Sequence, residues 1–323
     1  MKQDAVLNIE GLTVRAASGD VLVRDVSLTL GAQECLGIAG ESGSGKTVTA
    51  KSVLQLLPPD LRAEARSLSV LGKDILSMTE PERRRFLGCE VGFVPQNTVA
   101  YLHPLIKVKR QLTDGYLCYH DTTKREALER AHGLLEQVGI RDASRVMESY
   151  PGELSGGMRQ RVNIAMALMS DPKLIIADEP TTALDCVVQQ QVVELFHSIN
   201  TQRHVAIVMI SHDLNLIRRY CHKVAVMYAG QVVETGDSQA VFTSPKHPYT
   251  KALLSVVPRV DQDPAARLSE IPGYVPETGR DTDECLFRPR CAECTQACSG
   301  AVRCLRGADR FVRCSKVCEE AGA

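Results

Sequence analysis

A glycine-rich loop at Gly40–Thr47, with the sequence GESGSGKT, is the first stretch of this chain suited to chemistry. Its glycines let successive backbone N–H groups approach phosphate oxygens where side chains would clash. Lys46 is expected to reach the β- and γ-phosphates of a nucleotide, and the Thr47 hydroxyl to bind Mg²⁺. A strand before the loop and a helix after it argue against a chance glycine-rich turn. The predicted nucleotide-contacting residues are Gly40, Glu41, Ser42, Gly43, Ser44, Gly45, Lys46, Thr47 and Val48.

Polar residues with catalytic chemistry follow two other apolar strands. Asp178 ends the run Leu174–Ala177, which places its carboxylate at a sheet edge and suits it to hold magnesium. Glu179 comes next and is predicted to be the general base for the attacking water. A solvated loop acid is the simpler alternative, but its place between Asp178 and Pro180 favours catalysis. Gln96 is predicted to reach the metal and the water through its amide, although a glutamine alone is uninformative.

A second glycine-containing helix start occurs at Leu154–Met158, with the sequence LSGGM. Such a start presents free N–H groups to an anion. One nucleotide does not need two cradles, so Ser155, Gly156 and Gly157 are predicted to serve a nucleotide held on a partner. A plain serine N-cap would explain Ser155 but not all five residues. His212 is weak evidence by itself, yet it follows an apolar strand and is predicted to contact the γ-phosphate.

The elements that must position these residues form an alternating pattern. Apolar strands alternate with helices, including a charged helix at Lys124–Gln137, and this predicts an α/β core with a helical insertion. The predicted domains are an ATPase domain over 1–235 with the insertion at about 98–170, a linker over 236–284 with one short helix at His247–Pro258, and a cysteine-rich tail over 285–323.

Composition excludes several classes of protein. With 323 residues, of which 44% are apolar, the chain can form a large core with an appendage. Its net charge of -1 provides no general basic field for nucleic acid. The start of the chain lacks a secretory pattern, and no apolar run nears the ~18 residues of a membrane span. These features predict a soluble, cytosolic protein.

Seven of the twelve cysteines fall between Cys285 and Cys318, which is too dense to be background. Structural zinc takes four thiolates, but its usual C-x2-C pair occurs only once, at Cys291 and Cys294. Disulfides are disfavoured in a cytosolic protein. An iron–sulfur cluster tolerates irregular loops and also needs four thiolates.

These motifs, in this order, resemble those of the ATP-binding subunits of ABC transporters over about residues 5 to 235. The resemblance implies an ABC-type P-loop NTPase fold with a helical insertion and a small cysteine-rich extension. It further implies that two ATPase subunits sandwich two ATP molecules with Mg²⁺. The matching segments are the Walker A loop at Gly40–Thr47, the Q-loop glutamine Gln96, the signature at Leu154–Met158, the Walker B strand at Leu174–Glu179, the D-loop at Ala183–Asp185 and the switch histidine His212.

Further residues are similar to the oligopeptide, dipeptide and nickel importer branch, notably HPYTKALLSVVP at His247–Pro258 and IPG at Ile271–Gly273. The branch implies two membrane permease subunits, an extracytoplasmic substrate-binding protein and a second ATPase, either a paralogous chain or a second copy. It places the protein peripherally on the cytoplasmic face of the inner membrane. Peptides, nickel and metal chelates are the expected cargoes. The alternative is an ATPase of a non-transport complex, similar to those that degrade phosphonates.

The same resemblance bears on the tail, because some ATPases of this branch carry a [4Fe–4S] cluster in a similar extension. Matching the pattern residue by residue gives Cys285, Cys291, Cys298 and Cys314 as ligands. Three further cysteines leave other choices open, and zinc remains the alternative metal. Nearby arginines would offset the negative charge of a cluster; they are Arg288, Arg290, Arg303, Arg306 and Arg313.

One departure from the family concerns recognition of the nucleotide's adenine base. An aromatic residue about 25 positions before the Walker A loop usually stacks on adenine, but this chain has Val14–Ala17 there and no aromatic residue before Phe86. Stacking contributes on the order of 1 kcal/mol. Weak discrimination between bases is therefore expected, unless Arg15 stacks instead.

Overall fold

The computed structural model describes residues 5–182, 184–256, 270–276, 281–307 and 310–322. Ala183, the first residue of the predicted D-loop, lies outside these ranges. So does the end of the predicted helix His247–Pro258, beyond residue 256.

Thirteen strands occur in the described ranges. They are β1 (Ala5–Ala16), β2 (Val21–Gly31), β3 (Cys35–Ala39), β4 (Leu61–Glu64), β5 (Ser67–Val70), β6 (Lys73–Asp74), β7 (Val91–Val94), β8 (Leu174–Asp178), β9 (Ala206–Ile210), β10 (Lys223–Tyr228), β11 (Gln231–Asp237), β12 (Leu305–Arg306) and β13 (Arg310–Val312).

Twelve α-helices occur in the same ranges, with short 3₁₀ turns at Pro151–Glu153, Arg288–Arg290 and Gln296–Cys298. The helices are α1 (Lys46–Leu54), α2 (Glu80–Glu90), α3 (Thr98–Tyr101), α4 (Val108–Tyr119), α5 (Lys124–Gln137), α6 (Ala143–Glu148), α7 (Gly156–Leu168), α8 (Cys186–Arg203), α9 (Leu214–Tyr220), α10 (Ser238–Thr243), α11 (Pro248–Ser255) and α12 (Ser315–Gly322).

The chain divides into two compact units. The first unit is built on Ser69–Ile210, with Leu30–Glu34 and the described residues before Asn8. The second unit contains Asn8–Thr29, Cys35–Leu68 and the described residues from Ser211 onward.

In the first unit, β7, β8 and β9 form a parallel array in which β8 is central. Every residue of β8 and β9 is buried, which explains why both strands are apolar without alternation. Helix α5 is capped by Thr123, whose side chain accepts from the N–H of Glu126 while the Glu126 carboxylate accepts from the N–H of Thr123. This capping box fixes the start of the helix within the predicted insertion.

In the second unit, β3 leads into the glycine loop and runs parallel to β10. Strand β10 turns back as β11, and β11 pairs antiparallel with β13 from the cysteine-rich tail. Strand β12 then pairs with β13. The tail therefore adds strands to the sheet that carries the glycine loop.

The sequence patterns predicted the elements next to the motifs and missed others. Helix α5 has the predicted bounds, whereas β4, β5, β6 and helix α2 lie in a stretch with no clear periodicity. The strands β12 and β13 are too short for alternation to reveal them. Strand β13 depends on pairing with β11, and β12 depends on pairing with β13.

Candidate functional site

The glycine loop forms a tight curve that only glycine permits at several positions. A Cβ on Gly40 would lie 2.2 Å from the carbonyl oxygen of Met227. Gly43 and Gly45 have φ of +76° and +96°, in the left-handed region that favours glycine. A Cβ on Gly43 would meet nothing within 4 Å. These conformations fit a backbone cradle for phosphate.

Lys46 lies inside this curve. Its side chain is buried, and its Nζ donates to the carbonyl oxygens of Gly40 and Glu41, each at 2.9 Å. Helix α1 begins at Lys46, with Gly45 as its N-cap and Thr47 in the first turn. The loop thus combines a lysine ammonium group with the positive end of a helix, a suitable environment for a triphosphate.

The predicted general base Glu179 follows the buried end of β8 in a defined geometry. Its φ is +46°, a left-handed conformation that costs a non-glycine residue about 1–2 kcal/mol. One carboxylate oxygen accepts from Gln96 Nε2 at 3.0 Å and from Thr182 Oγ1 at 2.9 Å. The structure therefore brings Gln96 and Glu179 together. It adds Thr182, which sequence reasoning missed although it lies three residues after Glu179.

Asp178 is the last residue of β8 and is only 2% exposed. Burial, with the nearby Asp178 carboxylate as a second cause, raises the pKa of Tyr101. Tyr101 also packs edge-on against Phe93, with ring centroids 5.7 Å apart. A buried carboxylate at a strand end is suited to a divalent cation.

The predicted signature residues form the start of α7. Ser155 is exposed and caps the helix, because its Oγ accepts from the N–H of Met158 at 3.3 Å. A Cβ on Gly157 would lie 3.0 Å from a Val188 methyl on α8, so a larger residue there would fit only if Val188 shifted. The first turn of α7 therefore combines small residues with an exposed serine hydroxyl.

His212 lies between β9 and α9 and is exposed. The Ser211 hydroxyl accepts from the N–H of Asp213 at 3.0 Å, and Asp213 caps α9 through the N–H of Asn215 at 2.9 Å. These bonds fix the backbone on the C-terminal side of the histidine.

The predicted catalytic residues are distributed over both units. Gln96, Asp178, Glu179 and the signature belong to the first unit, whereas the phosphate-binding loop and His212 belong to the second. The roles assigned to these residues remain predictions.

The predicted cysteine ligands line one cavity in the second unit. Cys285, Cys291, Cys298 and Cys314 all contribute to its wall, together with His247. The cysteines not predicted as ligands are absent from this lining; they are Cys294, Cys304 and Cys318. Within the described ranges, no group of three or more His, Cys, Asp or Glu side chains is arranged to hold a metal ion.

Burial determines the protonation of groups in this cavity. It raises the pKa of Cys285 and Cys314, and raises the pKa of Cys291 to about 11. Burial lowers the pKa of His247 to about 3, so its ring is neutral at physiological pH. His247 Nδ1 accepts from the N–H of Tyr249 at 3.0 Å and caps α11. His247 therefore has a structural contact beside the cavity.

Two arginines have partners that their sequence position did not predict. Arg290, expected to offset the charge of a cluster, bonds to both carboxylate oxygens of Glu41 at 3.2 Å. Arg15, considered for base stacking, donates to Asp281 at 2.8 Å. Both partners are distant in sequence, and no local motif could have identified them.

No helix in the described ranges is long and apolar enough to cross a bilayer.

Two protein families match the chain. The family described as ABC transporter matches residues 23–182. The family described as oligopeptide/dipeptide transporter, C-terminal region, matches residues 233–298. The second match includes His247 and three of the four cavity cysteines.

Curated relatives are similar over nearly the full length. The dipeptide transport ATP-binding protein DppD of Escherichia coli is 42% identical over 297 residues, which cover 91% of this chain and 90% of that protein. The oligopeptide transport ATP-binding protein OppD of Escherichia coli is 42% identical over 301 residues, covering 92% and 89%. A putative peptide import ATP-binding protein of Brucella abortus is 42% identical over the same length.

Solved structures show the same fold. A dimeric bacterial ABC transporter cassette, MJ0796, superposes with a TM-score of 0.64 at 24% identity, covering 72% of this chain and 98% of that one. The protein cbiO1 of Clostridium perfringens, part of an ABC transporter complex, gives a TM-score of 0.63 at 24% identity, covering 75% and 92%. The chain therefore has the fold of an ABC ATPase cassette.

Proposed function

Because this chain belongs to the ABC transporter family, and is an ATPase of its cassette type, we propose that it powers the import of peptides across the cytoplasmic membrane. The observation that carries the proposal is continuous similarity to DppD through both the cassette and the C-terminal region. A non-transport ATPase would share the cassette, but the C-terminal match supports the transport branch. Nickel and metal chelates are the alternative cargoes, and the transport test below distinguishes them from peptides.

The proposed reaction converts ATP and water to ADP and phosphate. Glu179 accepts a proton from the attacking water, while Gln96 and Thr182 orient its carboxylate. Lys46 and the loop N–H groups bind the phosphates, and His212 contacts the γ-phosphate. Mg²⁺ would neutralise charge on the phosphate oxygens. Thr47, Gln96 and Asp178 are its proposed ligands in this chain.

The signature residues are proposed to act on a different subunit. Ser155, Gly156 and Gly157 present a helix N-terminus to the nucleotide bound by a second ATPase, and that subunit does the same in return. Each site then needs two subunits. The second subunit is proposed to be a paralogous chain, with a second copy as the alternative.

The proposed assembly contains two membrane permeases and an extracytoplasmic substrate-binding protein, with this ATPase bound peripherally at the cytoplasmic face of the inner membrane. The test is to co-purify the chain with its permeases in lipid and to measure ATPase activity with the binding protein present. Peptide-loaded binding protein should stimulate turnover more than the empty protein. Stimulation by nickel or a metal chelate alone would reassign the cargo, and failure to bind any permease would contradict transport.

Base discrimination is expected to be weak. The Arg15 guanidinium is paired with Asp281 at 2.8 Å, and no aromatic side chain occurs at the family's stacking position. Loss of about 1 kcal/mol of stacking corresponds to about fivefold in affinity. We expect kcat/KM for ATP and GTP to agree within about tenfold. A preference for ATP well beyond this would contradict the expectation, and an Arg15→Tyr variant should increase that preference.

We propose that the cysteine cavity holds an iron–sulfur cluster with a structural or redox-sensing role. The cavity lined by Cys285, Cys291, Cys298 and Cys314 supports the proposal, because a cluster needs four thiolates. A cluster is larger than a single ion, so its ligands surround a wider space than those of zinc. Binding would deprotonate the four thiols, since cysteine ligates as the thiolate.

Anaerobically purified full chain should be brown and contain about four iron and four sulfide per chain. The Cys298→Ser variant should lose most of the iron, because it removes one of the four proposed ligands. Cys294→Ser is the matched control, since Cys294 is exposed and does not line the cavity. Zinc without iron, or equal iron in both variants, would contradict the proposed cluster or its ligands.

A further inference from the structure

Glu41, the second residue of the phosphate-binding loop, is held at its amide, its carbonyl and its carboxylate. Its N–H donates to Tyr249 Oη at 3.0 Å, and its carbonyl oxygen accepts from Lys46 Nζ at 2.9 Å. Both carboxylate oxygens accept from Arg290 Nη1 at 3.2 Å. Two of these three partners belong to the C-terminal region. The extension therefore contacts the phosphate-binding loop directly.

Arg290 is itself fixed in one orientation. Its side chain is 5% exposed, and Nε donates to the carbonyl oxygen of Pro272 at 2.8 Å. Nη2 donates to the carbonyl oxygen of Ile271 at 3.2 Å, and Nη1 also reaches Tyr228 Oη at 3.3 Å. A planar guanidinium bonded through all three nitrogens is held in one orientation. In that orientation its Nη1 faces the Glu41 carboxylate.

Tyr249 is equally constrained. Its ring is fully buried and packs against Tyr228 and Phe287, with centroids 4.6 and 5.3 Å away. Burial raises the pKa of Tyr249 more than the bond from the Glu41 N–H lowers it, which keeps its hydroxyl protonated. A neutral hydroxyl at a fixed position can accept the Glu41 N–H without adding negative charge to the loop.

The charge of Glu41 needs compensation. A backbone cradle does not require a carboxylate at this position, and an uncompensated one would repel a triphosphate in the same loop. Arg290, which is nearly buried, supplies an opposite charge to the partly exposed Glu41 carboxylate, and removing either partner leaves the other without its counterion. The pair both fixes the loop and removes its repulsion of phosphate.

We propose that Arg290 and Tyr249 are positioning residues of the phosphate-binding loop, acting through Glu41, so that the C-terminal region sets the affinity of this cassette for ATP. The inference rests on the proposed ATP site. It assigns a role in nucleotide binding to the tyrosine of the HPYT segment and to the arginine that precedes Cys291. This role does not depend on whether the cysteine cavity holds a cluster.

The test measures the Kd of the full chain for a fluorescent ATP analogue by titration, which requires neither hydrolysis nor a partner subunit. Arg290→Gln should weaken binding by about 10- to 100-fold, as expected for loss of a charge-assisted bond that leaves a carboxylate unpaired. Tyr249→Phe keeps the ring and should weaken binding by about three- to tenfold. The double variant Glu41→Gln with Arg290→Gln should recover to within about threefold of wild type, because the repulsive charge is gone.

Recovery in the double variant would attribute the loss to the unpaired Glu41 carboxylate, because a second substitution would not repair a general structural defect. Arg141→Gln is the matched control, since it removes the same charge from an exposed site with no role assigned to it, and its Kd should equal that of wild type. An unchanged Kd in both Arg290→Gln and Tyr249→Phe, or a loss in Arg290→Gln that the double variant does not recover, would overturn the inference. If Arg290→Gln does not fold, the Kd values of Tyr249→Phe and of the double variant decide whether the inference holds. Failure of the wild-type chain to bind the analogue would instead overturn the ATP site.

Discussion

The Glu179→Gln variant is expected to lose ATP turnover by at least about 100-fold, within the range for removing a general base. The substitution preserves size, and the glutamine carbonyl oxygen can still accept from Gln96 and Thr182. It cannot accept a proton from water at neutral pH. Nucleotide affinity should therefore be unchanged, and ATP-bound dimers should accumulate because they no longer hydrolyse their ligand.

The measurements are steady-state phosphate release and, with ATP present, the mass of the complex by light scattering, with the second ATPase supplied. Glu129→Gln is the matched control, because Glu129 lies exposed on α5 and its ion pair with Arg125 spans 3.8 Å. That control should hydrolyse ATP like wild type. Rapid turnover by Glu179→Gln would remove Glu179 from the catalytic role.

A second large effect is expected from Ser155→Asp. Aspartate caps helices as well as serine, and its charge is favourable at a helix N-terminus, so α7 should keep its stability. The same charge would repel the γ-phosphate of the partner's nucleotide by about 1–4 kcal/mol at 4 Å. Turnover by the assembled ATPases should fall by roughly 5- to 1000-fold. The Kd for nucleotide on the variant's own phosphate-binding loop should not change.

This separation between turnover and binding tests whether Ser155 acts on the other subunit. Gln202→Glu provides the control, since it adds one negative charge at an exposed site on α8. Full turnover by Ser155→Asp, or equal losses of turnover and of its own nucleotide affinity, would refute action in trans.

The features of the site that depend only on neighbouring residues could be predicted from the sequence. The glycine conformations at Gly43 and Gly45, the cap at Ser155 and the strand that ends at Asp178 all follow from nearby residues. The bond between Gln96 and Glu179 also agrees with the motif order, because both residues follow strands of one parallel array. Predicting these features requires no information about contacts between residues that are distant in sequence.

Other features depend on contacts between distant residues and could not be predicted in this way. Arg290 was expected to offset the charge of a cluster, and its bond to Glu41, which is 249 positions earlier, was not predicted. A guanidinium can satisfy several acceptors at once, and the carbonyl groups and carboxylate around it are assembled only in the folded chain. The same applies to β13, whose three residues show no pattern without β11.

The pairing of β11 with β13 has a consequence for synthesis on the ribosome. Strand β11 emerges long before Arg310–Val312, so its outer edge lacks its partner while the chain between them is translated, and unpaired edges promote aggregation. Glu234 on β11 is fully buried and bonds to Arg310. A shortened chain that ends before residue 310 would leave this carboxylate without its counterion. Such fragments should be recovered mainly from inclusion bodies, even though every motif for hydrolysis is present.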